Sequence, residues 1–425
     1  MKKIAHIALL IVAVLLFSCA EKQKQQLKEE EKQVTAKEIL GNPEYQAISY
    51  GGYRERTRDV QPTIPQLKED MKILYAMGIR VLRTYNVRLA HASNVLKAIS
   101  ELKKEDPDFE MYVMLGAWID CKNAWTDQPV NHNEESEHNA EEIERAIALV
   151  KQYPDIVKIV AVGNEAMVKW AEAYYVKPGV ILKWVNYLQE LKKKGELPKE
   201  LWITSSDNFA SWGGGNEYHV EDLNELIRTV DYLSIHTYPM HDTHYNPIFW
   251  GIFGKEKEMD SLQKIDLAMN RAKNYAMSQY DSVAGYVKSL GVEKPIHIGE
   301  TGWASHSNGH YGNSGSRATD EYKEAIFYNA MRDWTDKNKI SCFYFEAFDE
   351  PWKDAQNPEG SENHFGLFTV EGKAKYVLWN LVDKDVFKGL KRGGNPIIKT
   401  YNGNKEALLV EVQLPPEKKG ISANH

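Results

Sequence analysis

Glu165, in Gly163-Asn164-Glu165-Ala166, and Glu300, in Gly299-Glu300-Thr301-Gly302-Trp303, each stand just beyond a short apolar run, Ile156 to Val162 and Pro295 to Ile298. Runs of that length rich in β-branched residues read as buried strands, so each carboxylate falls at a strand's C-terminal end. In a barrel of parallel strands those ends form the catalytic face. Two carboxyl groups there, roughly 5 to 5.5 Å apart, are the equipment for cleaving a glycosidic bond with retention: one donates a proton, the other attacks the anomeric carbon. At that separation an ionised nucleophile keeps its neighbour protonated, and the hold lapses once an ester neutralises it. The pattern assigns Glu165 as acid/base and Glu300 as nucleophile.

Several residues fit around that pair. The Asn164 amide can donate to a sugar hydroxyl next to the reacting carbon. Tyr238, in His236-Thr237-Tyr238-Pro239, can donate to the Glu300 carboxylate and fix its rotamer, with His236 as a hydrogen-bonded scaffold residue. Trp118 and Trp303 offer flat faces for sugar rings. His241, His244, His306 and His310 match no strong ligand spacing, and CxxC, HExxH, P-loop and GxGxxG strings are absent, so neither a metal nor a cofactor is expected.

Eight strand-like runs supply the frame: Ala47 to Tyr50, Ile79 to Thr84, Met111 to Leu115, Ile156 to Val162, Leu201 to Thr204, Tyr232 to Ile235, Pro295 to Ile298 and Ser341 to Phe345. Helical spacing separates them. Ile64, Leu67, Met71, Leu74 and Met77 recur at three- and four-residue intervals behind Pro65, and Gly78 stops them. Similar stretches surround Ile143 to Val150, Ile181 to Leu191, Met269 to Leu290 and Glu321 to Trp334. Alternation of this kind predicts an α/β fold, a single (β/α)8 TIM barrel. An open doubly wound sheet would want a switch-point site and a glycine-rich phosphate loop, and neither is present. Two insertions follow strands on the catalytic face: Trp118 to Asn139, carrying Trp125, and Pro239 to Asp260, carrying Tyr245, Phe249, Trp250 and Phe253. Beyond Gly389 one further run, Ala407 to Leu414, reads as a strand.

The ends carry an address. Lys2 and Lys3 precede an apolar stretch, Ile4 to Phe17, too short for a stop-transfer helix, and Leu16-Phe17-Ser18-Cys19 reads as a lipobox with Cys19 as the lipidated residue. The expected organisation is a signal peptide over 1–19, a polar tether over 20–40, a catalytic barrel over 41–390 and an extension over 391–425. That places a lipid-anchored monomer in a bacterial cell envelope. A net charge of -7 speaks against nucleic acid and anionic polymers and suits a neutral polysaccharide or oligosaccharide. Cys121 and Cys342, beside different strands, read as free thiols.

Along most of the barrel the motifs resemble glycoside hydrolase family 17, the β-1,3-glucanases. Tyr50-Gly51, Leu82-Arg83-Thr84-Tyr85, Val162 to Ala166, Tyr238-Pro239, Ile298 to Trp303, Phe345 to Lys353 and His364 to Phe368 carry the likeness. It implies a retaining endo-acting enzyme on laminarin-type β-1,3-glucan. It also implies supporting places for Tyr50, Arg83 and Tyr85, and puts Glu350 and Lys353 near the reaction centre. Ala304 replaces a proline usual after Gly-Trp, His236 stands where plant members tend to have asparagine, and the two insertions have no counterpart in the compact plant enzymes. These departures bear on subsite shape and leave the reaction class intact. A β-1,3-glucanosyltransferase shares every residue of the first half-reaction, and a non-catalytic glycan-binding lipoprotein is the alternative of a different class.

Overall fold

The structure, a computed structural model, describes residues 34–418. The leader, the lipobox Cys19 and most of the tether lie outside the described residues. Packing starts earlier than the polar composition suggests, because a turn of helix at Ala36–Ile39 buries Ala36 and Ile39.

All eight apolar runs are barrel strands: β1 (Gln46–Ser49), β2 (Ile79–Arg83), β3 (Tyr112–Ala117), β4 (Val157–Asn164), β5 (Trp202–Asn208), β6 (Leu233–His236), β7 (Ile296–Gly302) and β8 (Cys342–Phe345). Each pairs in parallel with its neighbours in chain order, and β8 closes on β1. The fold is a TIM barrel. Outside it lie α1 (Ile64–Ala76), α2 (Ala90–Glu105), α3 (Asn139–Gln152), α4 (Pro178–Lys193), α5 (Glu221–Thr229), α6 (Ser261–Ser289) and α7 (Glu321–Lys337). The start of α1 is a reciprocal cap: Thr63 Oγ1 accepts from Gln66 N, and Gln66 Oε1 accepts from Thr63 N at 2.9 Å. Leu67, Met71 and Leu74, spaced at four and three, then face the core.

Three strands run further than their apolar residues. β4 continues through Gly163 and Asn164, which pairs with Ser206; β5 continues to Asn208; β7 carries Glu300 inside it, opposite His236. Polar residues at the barrel mouth keep ladder pairing, so the strands extend into the site itself.

Around Trp125 the first insertion is an antiparallel hairpin, Cys121–Lys122 with Asn131–Glu135. The second mostly folds down. Phe249 stacks on Tyr275 at 4.3 Å, Phe253 lies under the Arg271 guanidinium at 4.7 Å, and fully buried Trp250 donates Nε1 to the Ser316 carbonyl at 2.7 Å. Tyr245 alone of those four aromatics is exposed. Trp303 is likewise no sugar platform. It is fully buried, packs at 5.0 Å from Phe327, and donates Nε1 to Ala318 O at 2.8 Å. Cys121 and Cys342 are buried free thiols.

The run Ala407 to Leu414 is not a strand. Lys405–Val410 is helical, with Asn404 Oδ1 capping Ala407 N at 3.0 Å. A short unbroken apolar run carries no period, and here the cap and the helix-favouring Ala and Leu decide. The extension docks on the barrel: Arg392 grips Asp70 of α1 through Nε at 2.9 Å and Nη2 at 3.2 Å. Asp70 also accepts from Arg54 at 3.0 Å and from the Tyr50 hydroxyl at 3.0 Å. Tyr50, expected beside the substrate, is therefore fully buried beneath the first loop, holding this ion pair.

Removing the carboxylate strands the almost fully buried Arg392 guanidinium, whereas Arg54 keeps Glu69 at 3.2 Å. Asp70→Ala is expected to cost about 3 kcal/mol or more, read as a lowered midpoint in urea unfolding.

Candidate active site

The chain leaves β4 in an unusual backbone. Gly163 has φ +84° and Glu165 φ +46°, a left-handed conformation that a glutamate adopts at a cost. The turn lifts Glu165 over the barrel mouth, with its amide bonded to Ser206 O at 3.0 Å. Asp207 braces the loop beyond Glu165: it accepts from Met167 N at 2.7 Å and from Ser211 Oγ at 2.6 Å. Burial chiefly raises the Asp207 carboxyl, to about 6.

Glu300 is held by three donors from two strand ends, Arg83 and Tyr85 at the end of β2 and Tyr238 after β6. Its Oε1 accepts from the Tyr238 hydroxyl at 2.6 Å, and its Oε2 accepts from the Tyr85 hydroxyl at 3.0 Å and from Arg83 Nη1. The same guanidinium donates to Gly299 O at 2.9 Å and to Asn164 Oδ1 at 2.5 Å. With its oxygen so engaged, Asn164 has its Nδ2 without a protein partner among the described residues, available to a ligand.

His236 joins the two acids. Its Nδ1 is 3.1 Å from Glu165 Oε1, while its Nε2 is 2.8 Å from Ser206 Oγ and 3.3 Å from Arg83 Nη2. A guanidinium beside Nε2 demands a lone pair there, so the ring proton sits on Nδ1 and is donated to Glu165 Oε1. Any proton on Glu165 then resides on Oε2. Ser206 donates to His236 and accepts from Ser234, 2.8 Å away. Glycine is required at 299 to admit this chain: a Cβ there would stand 2.0 Å from Ser234 Oγ and 2.5 Å from Ser206 Oγ.

These contacts set the acids apart. Burial first, and then the facing charge of Glu300, push the Glu165 carboxyl up to about 8. Burial pushes Glu300 the same way but is outweighed by His236, Arg83 and the Tyr238 hydrogen bond, which hold it well below the ordinary range. Burial also lowers His236 to about 4, leaving it neutral near pH 7, so Arg83 is the cation that keeps Glu300 ionised. A protonated acid thus faces a permanent carboxylate, the division of labour that nucleophilic displacement with proton donation requires.

A second layer lies under β8. Lys353 Nζ bonds Glu346 at 2.9 Å, lies 3.8 Å from Glu350 and sits 3.7 Å above the Phe345 ring; its charge also favours ionised Glu300. Glu350 accepts from Tyr53 N at 3.2 Å and Trp352 Nε1 at 2.9 Å, tying the first loop to the eighth. On the other side His241 stacks on Tyr238 at 5.0 Å and lies 3.8 Å from Glu362. Of the residues singled out in the sequence, Arg83, Tyr85, Asn164, Glu165, His236, Tyr238 and Glu300 meet in one hydrogen-bonded group. Glu350 and Lys353 form the adjoining layer, and Trp118 sits half-buried on the loop after β3. Tyr50 and Trp303 lie outside the cleft. Ser206 and Asp207 carried no motif, and only the polar continuation of β5 hinted at them; Glu346 lay within the Phe345 to Lys353 motif without being singled out.

A family model described as the BtgE/BtgC glycoside hydrolase domain matches residues 47–366. A glucan 1,3-beta-glucosidase of Arthroderma benhamiae is 33% identical over 110 residues, 23% of this chain and 34% of that protein. A probable glucan endo-1,3-beta-glucosidase btgC of Aspergillus clavatus is 25% identical over 324 residues, 74% of this chain and 39% of that protein. The chain therefore spans well under half the length of these fungal relatives. Among solved structures, an endo-laminarinase from Formosa Hel1_33_131 is 76% identical, with a TM-score of 0.91 over 92% of this chain and 100% of that one. A Rhizomucor miehei beta-1,3-glucanosyltransferase, at 20% identity and TM-score 0.53 over 84% and 98%, shares the fold.

The raised carboxyl has a thermodynamic signature. Its folded value of about 8 exceeds its ordinary 4.5, so the stability it contributes is complete below 4.5 and is lost as pH rises through 8. Glu165→Gln removes that loss. Relative to the parent, its Tm should climb by at least ~2 °C between pH 5 and 9, the equivalent of roughly 1.6 kcal/mol in a domain of this size. A flat difference across that window would contradict the assigned protonation.

Proposed function

The chain belongs to the BtgE/BtgC glycoside hydrolase domain family, and from that membership we propose that it is an endo-β-1,3-glucanase of the laminarinase type, in the manner of glycoside hydrolase family 17. The opposed protonation of Glu165 and Glu300 carries the mechanism. The 76% identity to an endo-laminarinase across that protein's whole length supports the substrate. Glu300 attacks the anomeric carbon while Glu165 transfers its Oε2 proton to the glycosidic oxygen, so the C–O bond breaks and the aglycone leaves with that proton. The glycosyl ester abolishes the Glu300 charge. Glu165, now ionised, takes a proton from water as the hydroxyl adds to the anomeric carbon and the ester C–O bond breaks; Glu300 leaves as the carboxylate, and the second inversion restores the configuration. Arg83, Tyr85 and Tyr238 keep Glu300 anionic and fixed, and Asn164 offers its Nδ2 to the neighbouring sugar hydroxyl. The enzyme acts as a monomer tethered to the cell envelope by lipid on Cys19.

Incubation with laminari-oligosaccharides should give shorter products with β configuration at first release. Glu165→Ala and Glu300→Ala should each lower kcat by at least about 10³-fold, with binding retained. Unimpaired turnover in either variant would remove that residue from its role, products longer than the substrate would mean transfer, and cleavage of β-1,4 glucan alone would displace the linkage. Separately, Cys19→Ser should shift the protein from the membrane fraction to the soluble fraction of its own cells.

A further inference from the structure

An aromatic group on the loops after β3 and β4 takes no part in the chemistry of Glu165 and Glu300. Trp125, at the hairpin tip, is 64% exposed and has φ +61°. A large ring both open to water and on left-handed backbone is doubly unfavourable, and such outliers cluster where they serve a ligand. Its ring stacks on Tyr174 at 5.2 Å and 23°, while Trp118 closes the group at 5.1 Å from Tyr174 and 6.5 Å from Trp125. Buried Asp120 fixes the orientation of Trp118 by accepting from its Nε1 at 3.3 Å. Trp118 is therefore anchored by its polar edge and, with Tyr174, backs the Trp125 ring, whose outer face is the exposed apolar surface. Tyr174 places the group near the reaction: its carbonyl accepts from Cys121 N of the hairpin at 3.0 Å, and two residues on Val176 N donates to Ala166 O, next to Glu165, at 2.6 Å. Burial, followed by the charges of Glu165, Asp207 and Glu300, pushes its phenol up, with Glu165 the strongest of the three.

We propose that Trp118, Trp125 and Tyr174 form a sugar platform at the Glu165 end of the cleft, holding a glucosyl ring of the substrate chain away from the scissile bond. The inference rests on the glycan-cleaving reading and extends it to chain-length preference. A pyranose presents a flat array of C–H groups to an indole face and needs no charge, and the hairpin's cation Lys122 is already paired with Glu134 at 2.7 Å. Only chains long enough to reach the platform gain from it, so the insertion favours polymer over short oligosaccharide.

The test compares full-length parent, Trp125→Ala and Trp125→Phe on laminari-oligosaccharides from trimer to heptamer. The ratio of kcat/KM for the longest to the shortest should fall about tenfold in Trp125→Ala, chiefly through KM, and recover largely in Trp125→Phe. A fall of equal size at every length, or an unaltered ratio, overturns the platform. Calorimetry of Glu300→Gln, with and without Trp125→Ala, on laminariheptaose and celloheptaose separates the two readings. Loss of affinity seen only with celloheptaose keeps the platform and discards the β-1,3 linkage. Undiminished affinity for the sugar the parent binds discards the platform and keeps the catalytic reading.

Discussion

One buried guanidinium is the constraint on which the rest depends. Arg83, 1% exposed at the end of β2, donates to Glu300 and Gly299 O on β7 and to Asn164 on β4, and meets His236 on β6. An unpaired charge at that depth would be prohibitive; a carboxylate and two carbonyl oxygens make it tenable. Four strands must therefore arrive in register at once. A slip of one residue in any of them would turn its side chain to the opposite face and leave the cation exposed to nothing but apolar wall. Closure of the barrel and ionisation of Glu300 are the same event viewed at two scales.

The cation also sets the sign of the chemistry. Two carboxylates about 5.5 Å apart, in a medium of effective dielectric about 20, repel by about 3 kcal/mol, or roughly two pKa units. That repulsion says only that one acid must keep its proton. Arg83, with Tyr85 and Tyr238 on the same carboxylate, decides which. The His236 ring completes the bias by presenting Nδ1–H to Glu165 Oε1, so the remaining proton lies on the free oxygen.

Much of this was legible in the amino-acid order because apolar strands and charged strand ends are distinct signals. The eight barrel runs, the helix after Pro65 and the two glutamates all announce themselves through burial or through abrupt changes in polarity. Where polar residues continue a strand, as in Ser205 to Asn208, composition ends the element too soon, although the hydrogen-bond ladder continues. Ala407 to Leu414 failed for the converse reason: an apolar run without period is decided by the cap at Asn404. Tyr50 and Trp303 failed because ring type says nothing of direction, and both rings turn under the loops that a motif places them beside.

The tryptophans separate reaction class from preference. Trp303 and Trp250 are fully buried and spend their N–H groups on backbone carbonyls, so they hold the β7 and β6 loops against the barrel. Trp125 stacks on Tyr174 with its outer face uncovered, in an inserted hairpin that contributes nothing to closure. Strand ends tolerate little change, since Arg83 couples them all. Among the described residues the ring at the hairpin tip meets Trp118 and Tyr174 and none of the acid pair, so it is free to vary without disturbing them. Physical coupling thus assigns the bond that is cleaved to the strands, and the length of chain that is welcomed to the loops.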